Sequence, residues 1–334
     1  MATTLDEFHA LTHAGSLLSA DGEIVAPYDL EKSGDAASGY VPLPVHHADP
    51  VDYARASHVQ LINAFGVTLG DSIVGLTALY ALKRLHPHLE FTIYRPARAP
   101  RYVRRLYELA SPEFGEIVDL PVPFASLSDS ALKIDIGNHL FWPQFASMPM
   151  IDFFLWALGL NPDEVAAHDK RNRWMMDLPL PHAPALDYTL LCATASTPVR
   201  SIPESARVKI VDRMLKEFGL TVYGYGAVNH PHYRDISKQS RDTDAFFAWI
   251  KHARYVVTSD TAALHIAAAF DVPTTAIFTT IAADLRARDY TNCVSIELDM
   301  PHLQGVHASA RESDLEALER AYQAFDWQAL KLRP

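Results

Sequence analysis

A polar segment, TSDTAALH at residues 258–265, joins the strand-like run YVVTS to an alanine-rich run with the composition of a tightly packed helix. Ser259 or Asp260 can cap that helix, while Thr261 and His265 can donate hydrogen bonds from their side chains. A helix N-terminus carries free N–H groups and a partial positive charge, and both features favour a bound phosphate. The residue pattern alone favours a plain capped helix with a buried histidine, and an anion site is its second interpretation.

A glycine-containing segment, GVTLGDSIVGL at residues 66–76, is the second candidate site. Gly66 and Gly70 permit a tight turn whose backbone is exposed to a ligand. Asp71 stands at the start of a helix that the apolar spacing predicts over residues 72–87. A carboxylate in this place commonly caps the helix, but it can also act as a general base on a bound hydroxyl. Its position alone does not decide between these two roles.

Strand-like and helix-like runs alternate along most of the chain, which predicts parallel sheets with helices on their faces. The alternation breaks at the proline-rich stretch DLPLPHAPALD and then restarts. The last helix is predicted to begin with a capping box formed by Ser313 and Glu316. We therefore expect two α/β domains, and the predicted segments are an N-terminal extension (1–55), a first domain (56–176), a linker (177–187) and a second domain with a terminal helix (188–334).

The composition narrows the class of protein. A net charge of −11 argues against a general nucleic-acid binder, and 49% hydrophobic with 21% charged residues is typical of a soluble enzyme. Cys192 and Cys293 lie far apart, so neither a disulfide framework nor a zinc site is expected. The first residues lack the pattern of a secretory signal, and no apolar run is long enough to span a membrane. We therefore expect a cytoplasmic protein.

Two segments of this chain together resemble a known family. TLGDSIVGLTALYALKRLHP and YVVTSDTAALHIAAAFDVPTTAIF are similar, in the same order, to the two signature regions of glycosyltransferase family 9, the ADP-heptose:lipopolysaccharide heptosyltransferases. The resemblance runs from about residue 58 to residue 281 and leaves residues 1–55 uncovered. It implies an α/β fold of the GT-B class, with two Rossmann-like domains facing across a cleft. The acceptor would bind the first domain and the nucleotide-sugar donor the second.

The resemblance also implies a reaction, namely inverting, metal-independent sugar transfer to a glycan or lipid-linked anionic acceptor. No cofactor is expected beyond the donor itself, ADP-heptose, and the location would be cytoplasmic or peripheral at the inner membrane. Asp71 falls on the family's proposed base. The implied donor-phosphate residues are Arg200, Ser259, Asp260, Thr261, Ala262, Ala263, His265 and Thr279. The implied acceptor-binding residues are Gly70, Arg98 and Arg101.

Each of the arginines has a second interpretation. The run YRPARAPRYVRR, which contains Arg98 and Arg101, can be a solvated helix face, which is the usual role of a charge run. Its functional interpretation is an anion-binding patch, because guanidinium groups pair with carboxylates and phosphates in a fork. Arg200 stands where the family usually has a lysine or arginine, and a plain surface arginine is the alternative.

The family pattern is broken in two places, since Ala262 replaces a glycine and residues 279–281 read Thr-Thr-Ile in place of Gly-Pro-Thr. Two other classes therefore stay open: a nucleotide-sugar epimerase on the same fold, and a catalytically silent GT-B subunit that binds or assembles. An epimerase would need acid and base carboxylates on both sides of its substrate. The DTD at residues 242–244 resembles a metal-binding motif, but it opens a helix and is expected to cap it.

Overall fold

The computed structural model describes residues 15–34, 39–43, 51–181 and 186–332. The chain forms two compact units, Met1–Lys170 and Arg171–Pro334. The division between them lies just before the stretch predicted as a linker, part of which lies outside the described residues. The predicted N-terminal extension is described only in part.

The first unit contains eight strands and five α-helices in its described residues. The strands are β1 (Leu17–Leu18), β2 (Glu23–Val25), β3 (Val41–Pro42), β4 (His58–Ile62), β5 (Glu90–Pro96), β6 (Glu116–Leu120), β7 (Val122–Pro123) and β8 (Leu132–Asp135). The helices are α1 (Pro27–Ser33), α2 (Leu69–Leu85), α3 (Arg101–Phe114), α4 (Pro143–Ser147) and α5 (Met150–Ala157). Short 3₁₀ turns span Tyr53–Arg55, Phe124–Ser126, His139–Phe141 and Pro162–Glu164.

The main sheet of the first unit is parallel and has the strand order β6-β5-β4-β8. The chain moves from β4 outward to β5 and β6, and then crosses to the other side of β4 to form β8. The strand order therefore reverses between β4 and β8. Open α/β sheets bind their ligands outside the carboxyl ends of the strands at such a reversal. The segments that follow β4 and β8 lead directly to α2 and to the turn His139–Phe141.

The described N-terminal strands and β7 form a small sheet with the order β3-β1-β2-β7, which is antiparallel throughout. Ile24 and Leu43 pack with Ile62 of the main sheet in one apolar cluster. Ser16 donates hydrogen bonds from its amide and its hydroxyl to Asp135 at the end of β8. The described part of the N-terminal segment is therefore built into the first unit, although its two- and three-residue strands are too short to show a periodic pattern.

One residue of this segment, Asp29 in α1, holds the loop that carries Arg98. Its two carboxylate oxygens accept hydrogen bonds from the amides of Ala97 and Arg98, each at 2.9 Å. Replacing Asp29 with alanine is expected to lower the free energy of unfolding by about 1–3 kcal/mol, because both amides lose their acceptor. Urea denaturation measures this loss. The exposed Asp21→Ala serves as the control, and an equal loss in both variants would contradict the prediction.

The second unit contains six strands and five α-helices in its described residues. The strands are β9 (Thr189–Cys192), β10 (Val222–Gly224), β11 (Tyr233–Asp235), β12 (Tyr255–Ser259), β13 (Thr274–Phe278) and β14 (Cys293–Glu297). The helices are α6 (Glu204–Phe218), α7 (Thr243–Lys251), α8 (Ala262–Ala269), α9 (Asp284–Ala287) and α10 (Glu312–Ala324). Short 3₁₀ turns span Arg173–Met175, Pro198–Arg200, Pro301–Leu303 and Trp327–Ala329.

All strands of the second unit are parallel, in the order β11-β10-β9-β12-β13-β14. Counted from the first strand of the unit, this is the 3-2-1-4-5-6 order of the Rossmann fold. The order reverses between β9 and β12, so the segments after these two strands are where a ligand is expected. From Ala263 onward α8 is buried along its whole length, which its small side chains permit.

Local structure in the second unit agrees with the sequence at some points and not at others. Gly219 ends α6 in the left-handed conformation, as its position after the helix predicts. The capping box predicted at Ser313 and Glu316 is wrong, because α10 begins at Glu312 and Ser313 lies inside it. Arg311 is the N-cap residue, and its side chain makes no capping bond. Within the described ranges, no helix has both the length and the apolar character needed to cross a bilayer.

Candidate functional site

The strand reversal of the second unit brings two oppositely charged side chains together. Arg200 lies in the turn that follows β9, and Asp260 follows β12 directly. Arg200 Nη1 lies 2.9 Å from Asp260 Oδ2, with only 4% of the carboxylate side chain exposed. Arg286 of α9 reaches the same carboxylate, with its Nε 3.9 Å from Oδ1. The interpretation of Arg200 as a plain surface arginine is wrong, because its guanidinium is tied to a buried carboxylate.

The electrostatics of this cluster favour an anion. Burial opposes the charge on Asp260, but the guanidinium groups of Arg200 and Arg286 outweigh it and hold the pKa of this carboxyl below its ordinary value. The carboxylate is therefore ionised at neutral pH, and two cations against one anion leave a surplus positive charge. The N-terminal end of α8 adds the partial positive charge of its backbone. Arg286 was missed by sequence reasoning, because nothing in IAADLRAR indicates that its α9 turn folds back onto β12.

The depressed pKa of Asp260 makes a prediction about stability and pH. Its folded-state pKa lies below the ordinary 3.8, so its stabilising contribution is complete above 3.8 and is lost as the pH falls through the folded value. Asp260→Asn is expected to lower the free energy of unfolding by about 3–5 kcal/mol at neutral pH, because it leaves buried guanidinium charge uncompensated. Urea denaturation over a pH series should show the deficit shrinking below 3.8. A deficit that does not change with pH, or one matched by the exposed control Asp299→Asn, would contradict this account.

The start of α8 is capped by a different residue from those expected. Thr261 is the N-cap, and its hydroxyl oxygen accepts a hydrogen bond from the amide of Ala263 at 3.1 Å. The expectation that Ser259 or Asp260 caps the helix is wrong, since Ser259 is the buried last residue of β12 and Asp260 pairs with arginine. Ala262 is the first residue of the helix and is partly exposed. Because Thr261 caps α8, the carboxylate of Asp260 is available to pair with the two arginines.

His265 and Thr279 lie behind this junction and contact other parts of the second unit. His265 is 2% exposed, and its Nδ1 lies 2.8 Å from the hydroxyl oxygen of Tyr290. Asn172 donates a hydrogen bond to the same oxygen. His265 is therefore the buried histidine that the interpretation as a plain capped helix predicts. Thr279 donates to the carbonyl oxygen of Val199 at 3.0 Å and so fixes the turn that ends with Arg200. Contact of either residue with a donor phosphate stays a prediction.

The strand reversal of the first unit places Asp71 beside a histidine. Asp71 lies in the first turn of α2, where Thr68 is the N-cap and its hydroxyl accepts from the Asp71 amide at 3.3 Å. The interpretation of Asp71 as the helix cap is therefore wrong. Its Oδ2 lies 3.5 Å from Nε2 of His139, and its side chain is 11% exposed. Sequence reasoning missed His139, because it lies 68 positions along the chain from Asp71 and in no recognisable motif.

The two glycines before Asp71 have different roles. Gly66 has φ +74°, and a Cβ there would lie 2.6 Å from Cε1 of His139, so only glycine fits this turn. Gly70, which was expected to form part of the same tight turn, lies instead inside the first turn of α2. α2 begins at Leu69, three residues before the predicted start. The close approach of Gly66 brings backbone, imidazole and carboxylate into one small space.

The arginine run beside α3 divides into buried and exposed members. Arg95 lies over the ring of Tyr107 at 3.9 Å and is 3% exposed, so it belongs to the core. Arg104 pairs with Asp119 at 3.0 Å, and both line a pocket of about 560 Å³ between α3 and β6. Of the two predicted acceptor-binding residues, Arg98 and Arg101, both side chains are exposed. Binding of an acceptor at either one stays a prediction.

Two further expectations concern the DTD motif and the two cysteines. Asp242 is the N-cap of α7 and accepts a hydrogen bond from the amide of Ala245 at 2.8 Å, so the predicted capping role of the DTD motif is confirmed. Cys192 and Cys293 are free thiols in β9 and β14. Across the part of the chain that the structure describes, no group of three or more His, Cys, Asp or Glu side chains is arranged to hold a metal ion.

Both units are Rossmann-like α/β folds, as in the GT-B fold class, and the predicted fold class is confirmed. Residues 242–303 match the model of glycosyltransferase family 9 (heptosyltransferase). This match spans α7 to the turn Pro301–Leu303 and contains both Asp260 and Arg286. The predicted resemblance to family 9 is therefore confirmed, as is the expectation that the chain is a glycosyltransferase.

Solved structures of similar fold share little sequence with this chain. A glycosyl transferase of family 9 from Veillonella parvula DSM 2008 has 13% identity and a TM-score of 0.52, and the match covers 83% of this chain and 99% of that one. The iron-containing dodecameric glycosyltransferase TibC from enterotoxigenic E. coli H10407 has 13% identity and a TM-score of 0.53, covering 81% and 75%. TibC in complex with ADP-D-β-D-heptose has 12% identity and a TM-score of 0.51, covering 92% and 87%. No curated protein matches this chain in sequence.

Proposed function

We propose that this chain is an inverting, metal-independent glycosyltransferase that moves heptose from ADP-heptose to a hydroxyl of a glycan-type acceptor. The observation that carries the proposal is the pairing of Arg200 with Asp260 at the strand reversal of a Rossmann-ordered sheet, beside the start of α8. A Rossmann sheet binds nucleotides at this place, and a helix start with a guanidinium beside it suits a diphosphate. The donor would therefore bind the second unit.

In the proposed reaction, the acceptor oxygen attacks the anomeric carbon as the bond from that carbon to the diphosphate oxygen breaks. Asp71 takes the proton from the attacking hydroxyl, and the bonding electron pair leaves with the nucleoside diphosphate. Attack opposite the leaving group inverts the configuration at the anomeric carbon. The negative charge that develops on the diphosphate is stabilised by Arg200 and by the amide dipoles at the start of α8, which are already oriented before the reaction. Asp260 holds Arg200 in place for this role.

The sugar and the base are supported by comparison rather than by contacts. A structure of similar fold contains ADP-D-β-D-heptose, and the family model matched by residues 242–303 is described as heptosyltransferase. The acceptor is proposed to be an anionic glycan or a lipid-linked one, because Arg98 and Arg101 present exposed guanidinium groups in a chain of net charge −11. A cytoplasmic location, peripheral at the inner membrane, belongs to the same proposal.

A nucleotide panel tests the proposal first, and a transfer assay follows. ADP is expected to raise the thermal midpoint more than UDP, GDP or CMP at equal concentration, because binding to the native state alone stabilises it. Incubation of ADP-heptose with glycan acceptors should then release ADP and yield a product of inverted anomeric configuration. Release of an epimerised nucleotide sugar would indicate an epimerase instead. No stabilisation by any nucleotide would indicate a silent subunit, and both outcomes would contradict the proposal.

A further inference from the structure

His139 is a buried histidine at the strand reversal of the first unit that no motif predicts. It begins the 3₁₀ turn His139–Phe141 after β8, and Asn138 before it has the left-handed φ of 55°. β8 lies beside β4, whose own carboxyl end leads through Gly66 to α2 and Asp71. The histidine and the aspartate thus come from the two segments that flank the reversal. Arg200 and Asp260 flank the reversal of the second unit in the same manner.

The surroundings of His139 leave Asp71 as its polar neighbour. The imidazole is 1% exposed and packs against the rings of Phe145, Phe153 and Phe154, with centroid distances of 4.9, 6.1 and 5.1 Å. In the part of the chain that the structure describes, neither ring nitrogen has a partner in hydrogen-bond geometry. Buried polar atoms without a hydrogen-bond partner are uncommon and lower the stability of the fold. A buried histidine of this kind at a strand reversal therefore indicates a role beyond packing.

The contact from His139 to Asp71 is an ion-pair contact that is longer than an ordinary hydrogen bond. Nε2 lies 3.5 Å from Oδ2, and the backbone of Gly66 closes the space beside both groups. In the tautomer with its proton on Nε2, the ring is a donor toward the carboxylate oxygen. Hydrogen bonds of catalytic groups are often long in the ligand-free state and shorten when the substrate binds. The phenyl rings fix the imidazole plane, so the aspartate rather than the histidine would make this adjustment.

We propose that His139 is a positioning residue, which holds the Asp71 carboxylate through Nε2 so that its orientation is set before the acceptor hydroxyl arrives. This inference rests on the proposed role of Asp71 as the base. His139 itself is too buried to contact a substrate, so it acts through Asp71 alone. Removing it should slow the chemical step and leave donor binding unchanged, since an interaction needed only for that step lowers kcat without raising KM.

Two substitutions separate positioning from packing. His139→Phe keeps an aromatic ring of similar volume among the three phenylalanines but has no nitrogen, and His139→Gln keeps an N–H donor able to reach the carboxylate. We expect His139→Phe to lower kcat at least tenfold, with the KM for ADP-heptose and the thermal shift with ADP unchanged. His139→Gln should retain at least a third of the wild-type kcat. In an Asp71→Asn background, His139→Phe should cause no further loss, because the two residues act as one unit.

The outcomes distinguish this inference from the proposed function. Wild-type transfer that is lost in Asp71→Asn but retained in His139→Phe would overturn the role of His139 and leave the proposed function intact. A kcat that falls equally in both His139 variants, together with equal losses of thermal midpoint, would mean a packing role and would also overturn it. If His139→Phe does not fold, His139→Gln decides alone, and a kcat below a tenth of wild type overturns the inference. A wild-type protein that transfers no sugar contradicts the proposed function and this inference with it.

Discussion

Asp71→Asn is expected to slow sugar transfer by a factor of about 10² to 10⁴ while binding the donor as well as the wild type does, because it removes only the proposed proton acceptor. Asparagine has nearly the same shape as aspartate, and the amide of residue 71 keeps its bond to Thr68. Steady-state kinetics with ADP-heptose measure the effect, and the change should appear in kcat rather than in the donor KM.

A matched substitution controls for a general effect of losing an acidic side chain. Asp129 is exposed in the same unit, so Asp129→Asn makes the same chemical change away from the strand reversal. Its kcat is expected to equal that of the wild type, and thermal midpoints of both variants should differ little from the wild type. Retention of wild-type kcat in Asp71→Asn would exclude Asp71 as the base, even if the chain proves to be an active transferase.

The second large effect is expected at Arg200. Arg200→Gln should weaken ADP binding by about 10- to 150-fold, which corresponds to about 1.5–3 kcal/mol for a hydrogen bond to a charged group. The physical reason is twofold, since the variant loses the cation nearest the start of α8 and leaves the Asp260 carboxylate facing the site with less compensation. The carboxylate would then repel the diphosphate that Arg200 is proposed to attract. Isothermal titration calorimetry with ADP measures the change in affinity.

Arg320 provides the matched control for this prediction. It is exposed on α10 and pairs across one helical turn with Glu316, a type of pair that contributes little to stability. Arg320→Gln should therefore bind ADP as the wild type does. The free energy of unfolding should be measured for both variants, because a destabilised Arg200→Gln would weaken binding indirectly. Equal ADP affinity in the Arg200 variant and the wild type would contradict the proposed donor site.

The sequence indicates the architecture well, because alternating runs fix it locally. Helix α6 and its closing Gly219, the cap at Asp242 and the main parallel strands all follow from spacing and from single residues. The small N-terminal sheet and β11 could not be predicted, because strands of two or three residues are shorter than any periodic signal. They are defined by their partners in space, such as Asp135 for Ser16.

Prediction of the candidate site from the sequence is limited in the same way. Asp71, Arg200 and Asp260 could be proposed because they stand beside recognisable strand–helix junctions. His139 and Arg286 could not be proposed, because each lies far along the chain from the carboxylate that it contacts in the folded protein. The expectation that Ser259 or Asp260 caps α8 was also wrong, since several side chains able to cap are adjacent and Arg200 pairs with one of them. The roles of these side chains depend on ion pairs between residues that are distant in sequence, and a local sequence pattern does not contain that information.

The most direct test of the central claim is a crystal structure of this protein in complex with ADP. The account predicts that the diphosphate lies at the carboxyl ends of β9 and β12, with phosphate oxygens within about 3 Å of the Arg200 guanidinium and of backbone amides at the start of α8. A diphosphate bound elsewhere on the second unit, or one that contacts neither Arg200 nor the start of α8, would contradict the account.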